Sequence, residues 1–309
     1  MSSEVMPDQK SWADTPPLNP PIRHVIGEFV ENQIWLDKLG EPIQNWLLNF
    51  FGQPGQPNRK LKDVLNGTWL GHSLHPVLTD VPLGSWSGTM LLDLAWLNQE
   101  SKGMADGADL TLLLGLLGAT GAVVTGVADW SDQIGADRRV GLMHGLLNGT
   151  ISTTYLVSLI LRRLGQRRAG IAFSTVGYLA SLFSAYLGGE LVFAKGIGVN
   201  HVAFEGGSDD FVAVMSVQDL AEGKLTRVDA AGIPAVLLKK GKSIYAIGAT
   251  CTHMGGPLDE GELKGDVVQC PWHGSQFSVE TGGVKAGPAK EGIKTYKVAE
   301  DKGAVFLTL

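Results

Sequence analysis

Four long apolar runs occupy the middle of the 309-residue chain and define its class. The first contains only Asp80 and Asp93 as charges, the second has none, the third contains His144 and the fourth contains Glu190. Each run is about as long as the roughly 20 residues that an α-helix needs to cross a bilayer. Buried helices of a soluble bundle are usually shorter, nearer 11–12 residues, and have polar faces. The pattern therefore predicts four transmembrane helices, over residues 76–97, 110–128, 140–161 and 169–194.

The segment before these runs has two parts that differ in composition. Residues 1–21 are polar and proline-rich and are predicted to form a disordered tail. Residues 22–70 place apolar side chains at helical spacing, and Pro42 is expected to divide the first part of this segment into two short helices. Tryptophans among these residues are typical of amphipathic helices lying at a membrane interface. A soluble helical cap would have the same pattern, so both interpretations stay open.

After the fourth run the pattern changes to short alternating segments punctuated by glycine, which is typical of β-strands. We expect strands near residues 235–239, 243–247, 266–269 and 293–298. The fold class is therefore a membrane α-helical bundle followed by a small all-β domain. The predicted divisions are a four-helix transmembrane domain over 71–200, a linker over 201–209 and the β domain over 210–309.

The composition of the chain excludes several classes of function. Only 18% of residues are charged, against about 25% in a typical soluble protein, which agrees with a membrane part joined to a soluble part. The net charge of −6 offers no basic footprint for a phosphate backbone, so a nucleic-acid partner is not expected. With two cysteines the chain has no disulfide framework.

Both cysteines lie in the β region, each close to a histidine. The sequence reads Cys251-Thr-His253 and, after sixteen residues, Cys270-Pro-Trp-His273. Two thiolates and two imidazoles can hold a tetrahedral zinc ion. They can also hold a [2Fe–2S] cluster in which two histidines bind one iron and two cysteines bind the other.

The residues around these ligands resemble the Rieske family over about residues 210–309. Members of that family have Cys-x-His-x-Gly and Cys-Pro-x-His-Gly-Ser on two facing loops, and a segment such as Gly287-Pro288 helps to cover the cluster. The resemblance implies that Cys251 and Cys270 bind the inner iron of a [2Fe–2S] cluster, and that His253 and His273 bind the outer, more exposed iron. The resemblance also implies one-electron transfer, and it favours an iron–sulfur cluster over a zinc ion at these four residues.

Departures from the family pattern bear on the reduction potential. Quinol-oxidising members have two further cysteines that bridge the loops, and Gly256 and Trp272 stand at those positions here. Ser275 keeps the hydroxyl that the family directs at a bridging sulfide, whereas Phe277 replaces a tyrosine and removes one hydrogen bond. Pro288 belongs to the covering segment. The resemblance is therefore to ferredoxin-type Rieske domains, and we expect a potential in the lower half of the range from about −150 to +300 mV.

A group of ionisable residues is predicted near the membrane face that the β domain occupies: His72, His75, His144, His201, Asp80, Asp129 and Glu190. Ionisable residues in membrane segments are functional hypotheses by default. A pair such as His75 and His144 would suit haem b, and the same group would suit a quinone pocket or proton relay. The structural alternative is that these side chains satisfy helix ends and fix packing. Asp93 lies deeper and is expected to pair within the bundle.

Residues 60–200 also resemble an uncharacterised bacterial family of four-helix membrane domains. The resemblance depends on residues 71–76, 80–82, 126, 129, 144 and 187–192, which include Gly71-His72-Ser73-Leu74-His75-Pro76. That family implies the architecture and no reaction.

The sequence thus predicts a membrane-anchored one-electron carrier. The alternative is a quinol or haem oxidoreductase with a second redox centre near His72, His75, His144 and His201, and a third hypothesis is an anchor whose cluster senses redox state. Expected partners are the lipid bilayer and a redox protein or the quinone pool. The expected location is a bacterial plasma membrane, multi-pass, with both termini on one side. Positive charges flanking the runs number 6 on one face and 5 on the other, so the side is not determined.

Overall fold

The computed structural model describes residues 21–52, 54, 56–207 and 210–308, with side chains described from residue 26 onward. The predicted tail, residues 1–21, lies outside the described residues apart from residue 21. In the described part seven α-helices precede the strands: α1 Pro21–Glu31, α2 Asp37–Phe51, α3 Pro57–Asn66, α4 Leu74–Gln99, α5 Lys102–Trp130, α6 Gly135–Arg163 and α7 Arg167–Gly189. A 3₁₀ turn, Ile34–Leu36, precedes α2, and a π-helical turn, Glu190–Ala194, continues α7.

The break near the N-terminus lies elsewhere than the sequence predicts. Helix α2 runs through Pro42, and the chain breaks at residues 32–33 instead. Both Pro42 and Lys38 are exposed. Water can therefore satisfy the Lys38 carbonyl that lacks an N–H partner at the proline, which lowers the cost of a proline inside the helix. The prediction of a break at Pro42 was wrong.

The four long helices pack as a bundle, and small residues allow close approach. A Cβ at Gly115 of α5 would lie 2.2 Å from Trp86 Nε1 of α4, so the indole lies directly over that glycine. The ring of Trp86 stacks on Tyr155 of α6, with centroids 4.0 Å apart. Gly177 of α7 also lies against Tyr155, since a Cβ there would be 3.0 Å from the ring. Glycines at such positions are typical of helices packed in lipid.

Two of the four long helices combine the length and hydropathy of a membrane span: Lys102–Trp130 and Arg167–Ala194. The prediction of four transmembrane helices is confirmed only to that extent. Helix α4 includes Asp80 and Asp93 together with proline, serine and glycine, and α6 contains a run of hydroxyl side chains between residues 150 and 158. These residues lower the mean hydropathy of α4 and α6.

An ion pair lies buried at the bundle end formed by the α4–α5 and α6–α7 turns. Arg162 donates to both carboxylate oxygens of Asp93, with Nη1 2.7 Å from Oδ1. Arg162 also donates to Asp109 of α5, at 3.2 Å, and to Ser174 of α7, at 2.9 Å. Asp93 therefore pairs within the bundle, as expected, and one guanidinium links all four long helices.

The C-terminal part is an all-β domain of two antiparallel sheets. The strands are β1 Phe211–Ser216, β2 Leu225–Ala230, β3 Ile233–Lys240, β4 Ser243–Gly248, β5 Glu262–Lys264, β6 Val267–Gln269, β7 Gln276–Ser278, β8 Val284–Ala286, β9 Thr295–Asp301 and β10 Ala304–Thr308. The larger sheet has the order β1-β10-β9-β4-β3-β2 and the smaller one β5-β6-β7-β8. The four segments predicted as strands overlap β3, β4, β6 and β9. A core between the sheets includes Val236, Ile247 and Val268, together with both cysteines.

Candidate metal centre

The two cysteine–histidine segments lie on neighbouring loops at one end of the β domain. The first loop follows β4, and the second joins β6 to β7. Both loops close in the same way: the cysteine N–H donates to the carbonyl five residues later, and the cysteine carbonyl accepts from the N–H four residues later. That fourth residue is Gly255 in one loop and Gly274 in the other, with φ of +77° and +75°. Glycine adopts this left-handed conformation without strain, so the loop geometry requires it in both motifs.

Four candidate ligands meet at this tip of the domain. Cys251 and Cys270 are buried and free, and the rings of His253 and His273 are nearly perpendicular with centroids 5.0 Å apart. The buried Nδ1 of His253 has no hydrogen-bond partner and is therefore available to a metal. Among the described residues no three His, Cys, Asp or Glu side chains converge on one ion. Two thiols and two imidazoles instead fit a [2Fe–2S] cluster, in which each iron takes two protein ligands.

Burial and mutual contact set the protonation of these groups. A hydrogen bond between the two sulfurs raises the pKa of the Cys251 thiol, with burial in the same direction, and lowers the pKa of Cys270. Burial lowers the pKa of His253 to about 3 and also lowers that of His273. Metal ligands must be thiolates and neutral imidazoles, so the site favours the imidazole form that ligation needs.

The predicted supporting residues lie beside these ligands. Ser275 is fully buried, its Oγ accepts from the Ala289 N–H at 3.0 Å, and its hydroxyl interacts with the Cys251 thiol. Phe277 is fully buried in the same core as both cysteines. Pro288 follows β8 and forms part of the wall of a cleft that also includes His253.

Gly256 and Trp272 pack on each other across the two loops. A Cβ at Gly256 would lie 2.7 Å from Cys270 Sγ and 3.2 Å from the Trp272 ring. The absence of a side chain at 256 therefore leaves room for the sulfur and the indole. Trp272 is 56% exposed, and its ring centroid lies 6.5 Å from that of His273.

The tip of the β domain is docked on the helical domain. The Arg59 side chain donates to the Gly287 carbonyl, and the Gly287 N–H donates to Asp63 Oδ1 at 3.0 Å. Lys290 Nζ lies 2.7 Å from Ser73 Oγ. The loop after β8 is therefore held by α3 and by the start of α4.

A second group of charged residues faces the ligands from the helical domain. Lys62 of α3 and Asp132 of the α5–α6 turn form a buried pair, with Nζ 2.6 Å from Oδ1. Burial opposes ionisation of Asp132, but the Lys62 ammonium favours the carboxylate by its charge and its hydrogen bond, and the pKa of Asp132 is lowered. This pair was not predicted from the sequence. A signal was present, because residues 59, 62, 63 and 66 place polar side chains on one face of α3.

Two of the seven ionisable residues predicted near the membrane face are in ring contact. His75 and His144 do meet, with ring centroids 6.5 Å apart and planes at 89°. His75 Nδ1 lies 2.8 Å from the Ala122 carbonyl and His144 Nδ1 lies 3.0 Å from the Ser184 carbonyl. Both rings are thus held by backbone of a neighbouring helix.

The other five residues of that group have the following surroundings. Asp129 Oδ1 lies 3.2 Å from Lys290 Nζ, and His72 lines the cleft beside His253. The His201 N–H donates to the Thr252 carbonyl at 3.0 Å. The last two are Asp80, which is exposed, and Glu190, whose carboxylate is buried against Gly27.

The cleft lies between the two domains and has a volume of about 240 Å³. Its lining includes His72 from the helical domain and His253, Thr252, Lys290 and Glu291 from the β domain. A small molecule in this cleft would contact a candidate cluster ligand directly.

Comparison with known proteins supports both halves. Residues 210–297 match the family described as Rieske [2Fe-2S] domain, and residues 71–201 match the family described as predicted membrane protein (DUF2231). The chain is 34% identical over 98 residues to ferredoxin CarAc of Metapseudomonas resinovorans, which is 31% of this chain and 92% of that ferredoxin.

Two further relatives share the same region. Human apoptosis-inducing factor 3 is 33% identical over 95 residues, which is 31% of this chain and only 16% of that protein. The solved ferredoxin of carbazole 1,9a-dioxygenase from Nocardioides aromaticivorans IC177 is 29% identical, with a TM-score of 0.31, and the match covers 32% of this chain and 96% of that one.

Proposed function

Because the chain belongs to the Rieske-type ferredoxin family, with a C-terminal Rieske [2Fe–2S] domain behind a predicted membrane domain (DUF2231), we propose that it is a membrane-anchored one-electron carrier. When bound, the cluster supplies a reversible one-electron centre. Cys251 and Cys270 hold one iron, and His253 and His273 hold the other. Its partners are a redox protein or the quinone pool.

One observation carries this proposal: two thiols and two imidazoles meet on paired loops of the same geometry, and a buried His253 nitrogen there lacks a partner. Neutral imidazoles in place of two thiolates reduce the negative charge at the site, so adding an electron costs less than in an all-cysteine cluster. The helical domain supplies the anchor and covers part of the cluster tip.

The test is an anaerobic redox titration of the intact protein in mild detergent, followed by electron paramagnetic resonance. We expect a Rieske signal that appears on one-electron reduction, with two irons per chain. A protein that binds zinc, or that binds iron without this signal, would contradict the proposal.

We propose that all four long helices span the bilayer. The outer faces of the bundle expose large apolar side chains, among them Leu91 at 69%, Leu117 at 64% and Val176 at 62%, and a continuous apolar surface of this kind suits lipid. The four crossings place both termini on one face of the plasma membrane.

Cysteine labelling with a membrane-impermeant maleimide tests this topology, because both native cysteines are buried. The variants Glu100→Cys and Gly165→Cys should be labelled from the same side, and Ile134→Cys only from the opposite side. Labelling of all three positions from one side would contradict four spans.

We further propose that α2 lies in the membrane interface. One face of this helix exposes apolar side chains, including Ile43, Trp46 and Phe50, and the last two rings stack at 5.7 Å. An environment-sensitive fluorophore on Ile43→Cys should shift to the blue in vesicles, whereas the same probe on Asn45→Cys, on the polar face, should not. Equal emission from both positions would indicate a soluble cap.

The alternative function is a quinol or haem oxidoreductase. The cleft beside His253 favours a quinone, because a ring of headgroup size there would contact His72, Lys290 and the cluster ligand. The pair of His75 and His144 favours haem b, since both rings are oriented by backbone carbonyls, which leaves the opposite nitrogens for other partners. Asn148 Nδ2 lies 3.1 Å from His144 Nε2, so this nitrogen already has a partner and is less available to a haem iron. A bound quinone therefore has more support than haem b.

A reduced-minus-oxidised visible spectrum of the purified protein distinguishes these functions. Sharp haem bands would establish a second redox centre, and extraction of a quinone would establish the other alternative. A Rieske spectrum without either would leave the one-electron carrier.

A further inference from the structure

The turn between α5 and α6 places a charged residue against the cluster tip. Asp132 lies in this turn and is only 9% exposed. Its Oδ1 accepts from Lys62 Nζ at 2.6 Å, and the Lys62 side chain has no exposed surface. The two residues come from different parts of the helical domain and form a buried ion pair where the β domain docks.

The second oxygen of this carboxylate has no partner. Asp132 Oδ2 is buried and makes no hydrogen bond among the described residues. A buried polar atom without a partner costs about 1–3 kcal/mol, and more for a charged group. Buried polar atoms without partners also occur nearby at Arg59 and Thr68, both of which contact the loop at Gly287. The interface is therefore polar, and several of its buried polar atoms lack a hydrogen-bond partner in the protein.

The Lys62–Asp132 pair lies beside the loop that covers the candidate iron ligands, because Asp63 accepts from the Gly287 N–H and Asp129 pairs with Lys290. The side chains of His253 and His273 also interact with the Asp132 carboxylate. An imidazole that binds a metal through one nitrogen has a proton on the other, and that N–H usually donates to a carboxylate, a carbonyl or water. Asp132 is a buried carboxylate of this interface, and its Oδ2 has no hydrogen-bond partner among the described residues.

We propose that Asp132 is a positioning residue of the iron–sulfur site: its free oxygen accepts a hydrogen bond from a cluster imidazole, so that the Lys62–Asp132 pair sets the reduction potential from the helical domain. This inference rests on the proposed function. It makes the helical domain part of the redox centre in addition to an anchor.

The two members of the pair have opposite effects on the reduction potential of the cluster. A carboxylate near the cluster stabilises the oxidised form, which is one charge more positive than the reduced form. Removal of that charge favours reduction and raises the potential. Removal of the Lys62 ammonium leaves the carboxylate uncompensated, favours the oxidised form and lowers the potential.

The experiment is a redox titration of the full chain in detergent, followed by electron paramagnetic resonance, for Asp132→Asn, Lys62→Met and Asp132→Glu. At the wild-type midpoint we expect Asp132→Asn to be about tenfold more reduced, an upward shift of about 59 mV for a one-electron couple. Lys62→Met should shift the ratio in the opposite direction, and Asp132→Glu should stay close to wild type. Asp137→Asn is the matched control, because Asp137 pairs with Lys195 at 3.0 Å on the same domain; it should not shift the potential.

The inference is overturned if Asp132→Asn and Lys62→Met shift the potential in the same direction, or if neither shifts it while the cluster signal is intact. If Asp132→Asn fails to assemble a cluster, the potentials of Lys62→Met and Asp132→Glu test the inference instead. An unchanged potential in Lys62→Met, or a potential in Asp132→Glu shifted upward by the amount expected for Asp132→Asn, then overturns it. A wild-type protein without a Rieske signal would contradict the proposed function itself, whereas a normal wild-type titration with unmoved variants contradicts only this inference.

Discussion

Lys290 of the Rieske domain lies 3.2 Å from Asp129 at the end of α5, and both side chains are largely buried. The same ammonium donates to Ser73 at 2.7 Å. One lysine therefore joins the loop that covers the cluster to the start of α4 and the end of α5. This contact and the Gly287 contacts of α3 define how the two domains dock.

We predict that Lys290→Met loosens this docking. The substitution keeps the length of the side chain but removes hydrogen bonds to a buried carboxylate, for which the cost is about 1.5–3 kcal/mol. Hydrogen exchange of backbone amides in residues 201–207 and 287–292 should become faster. Lys285→Met, on an exposed position of β8, is the control and should leave these rates unchanged. Unchanged exchange in both variants would mean that Lys290 does not hold the domains together.

His253→Ala and Cys270→Ala should each abolish the Rieske signal and leave the protein inserted in the membrane. The loss follows because in each variant one of the two irons keeps only one of its two protein ligands. Iron content and electron paramagnetic resonance measure the outcome in protein purified from membranes. His201→Ala is the matched histidine control, since the backbone N–H of His201 donates to the first cluster loop while its ring Nε2 lies 3.0 Å from the Gly196 carbonyl oxygen. A normal signal in either ligand variant would refute the ligand assignment.

Ser275→Ala should lower the reduction potential while the cluster still assembles. The buried hydroxyl interacts with the Cys251 sulfur, and a hydrogen bond that favours the more negative, reduced state by about 1 kcal/mol corresponds to about 40 mV. The reverse change, Phe277→Tyr, adds a hydroxyl to the core beside both cysteines and should raise the potential. Redox titration of the two variants measures the direction of each shift, and potentials that move in the same direction would contradict the prediction.

Arg162→Met should strongly destabilise the helical domain. The guanidinium and Asp93 are both buried, and removal of one partner leaves an uncompensated charge at a cost of about 3–5 kcal/mol. Thermal unfolding in detergent, followed by helical circular dichroism, measures the effect. Lys102→Ala is the control, because its pair with Asp106 is solvent-exposed and its removal should leave the midpoint in place. An Arg162 variant as stable as this control would show that the pair is dispensable.

The candidate ligands could be predicted from sequence because their chemistry is local. Cys251 to His273 lie within one short stretch, and the glycines at 255 and 274 are required by the loops themselves. The strands were predictable for the same reason, since alternation is a property of neighbouring residues. The membrane helices were predicted from hydropathy, which identifies an apolar run without deciding how many runs enter the bilayer; only α5 and α7 meet the criterion in full.

Only the tertiary structure decided which charges meet. Lys62 and Asp132 are 70 residues apart in the chain, and Asp129 and Lys290 are 161 apart. From sequence Arg162 is a loop-flanking cation and Asp93 an acid expected to pair within the bundle, and the packing of the four long helices makes these two residues partners. Within the predicted group of seven ionisable residues, the contact between His75 and His144 likewise depends on how α4 and α6 pack. The sequence by itself determined the domains' chemistry through local spacing, and long-range packing decided how that chemistry is coupled, since the burial that pairs distant charges exists only in the folded protein.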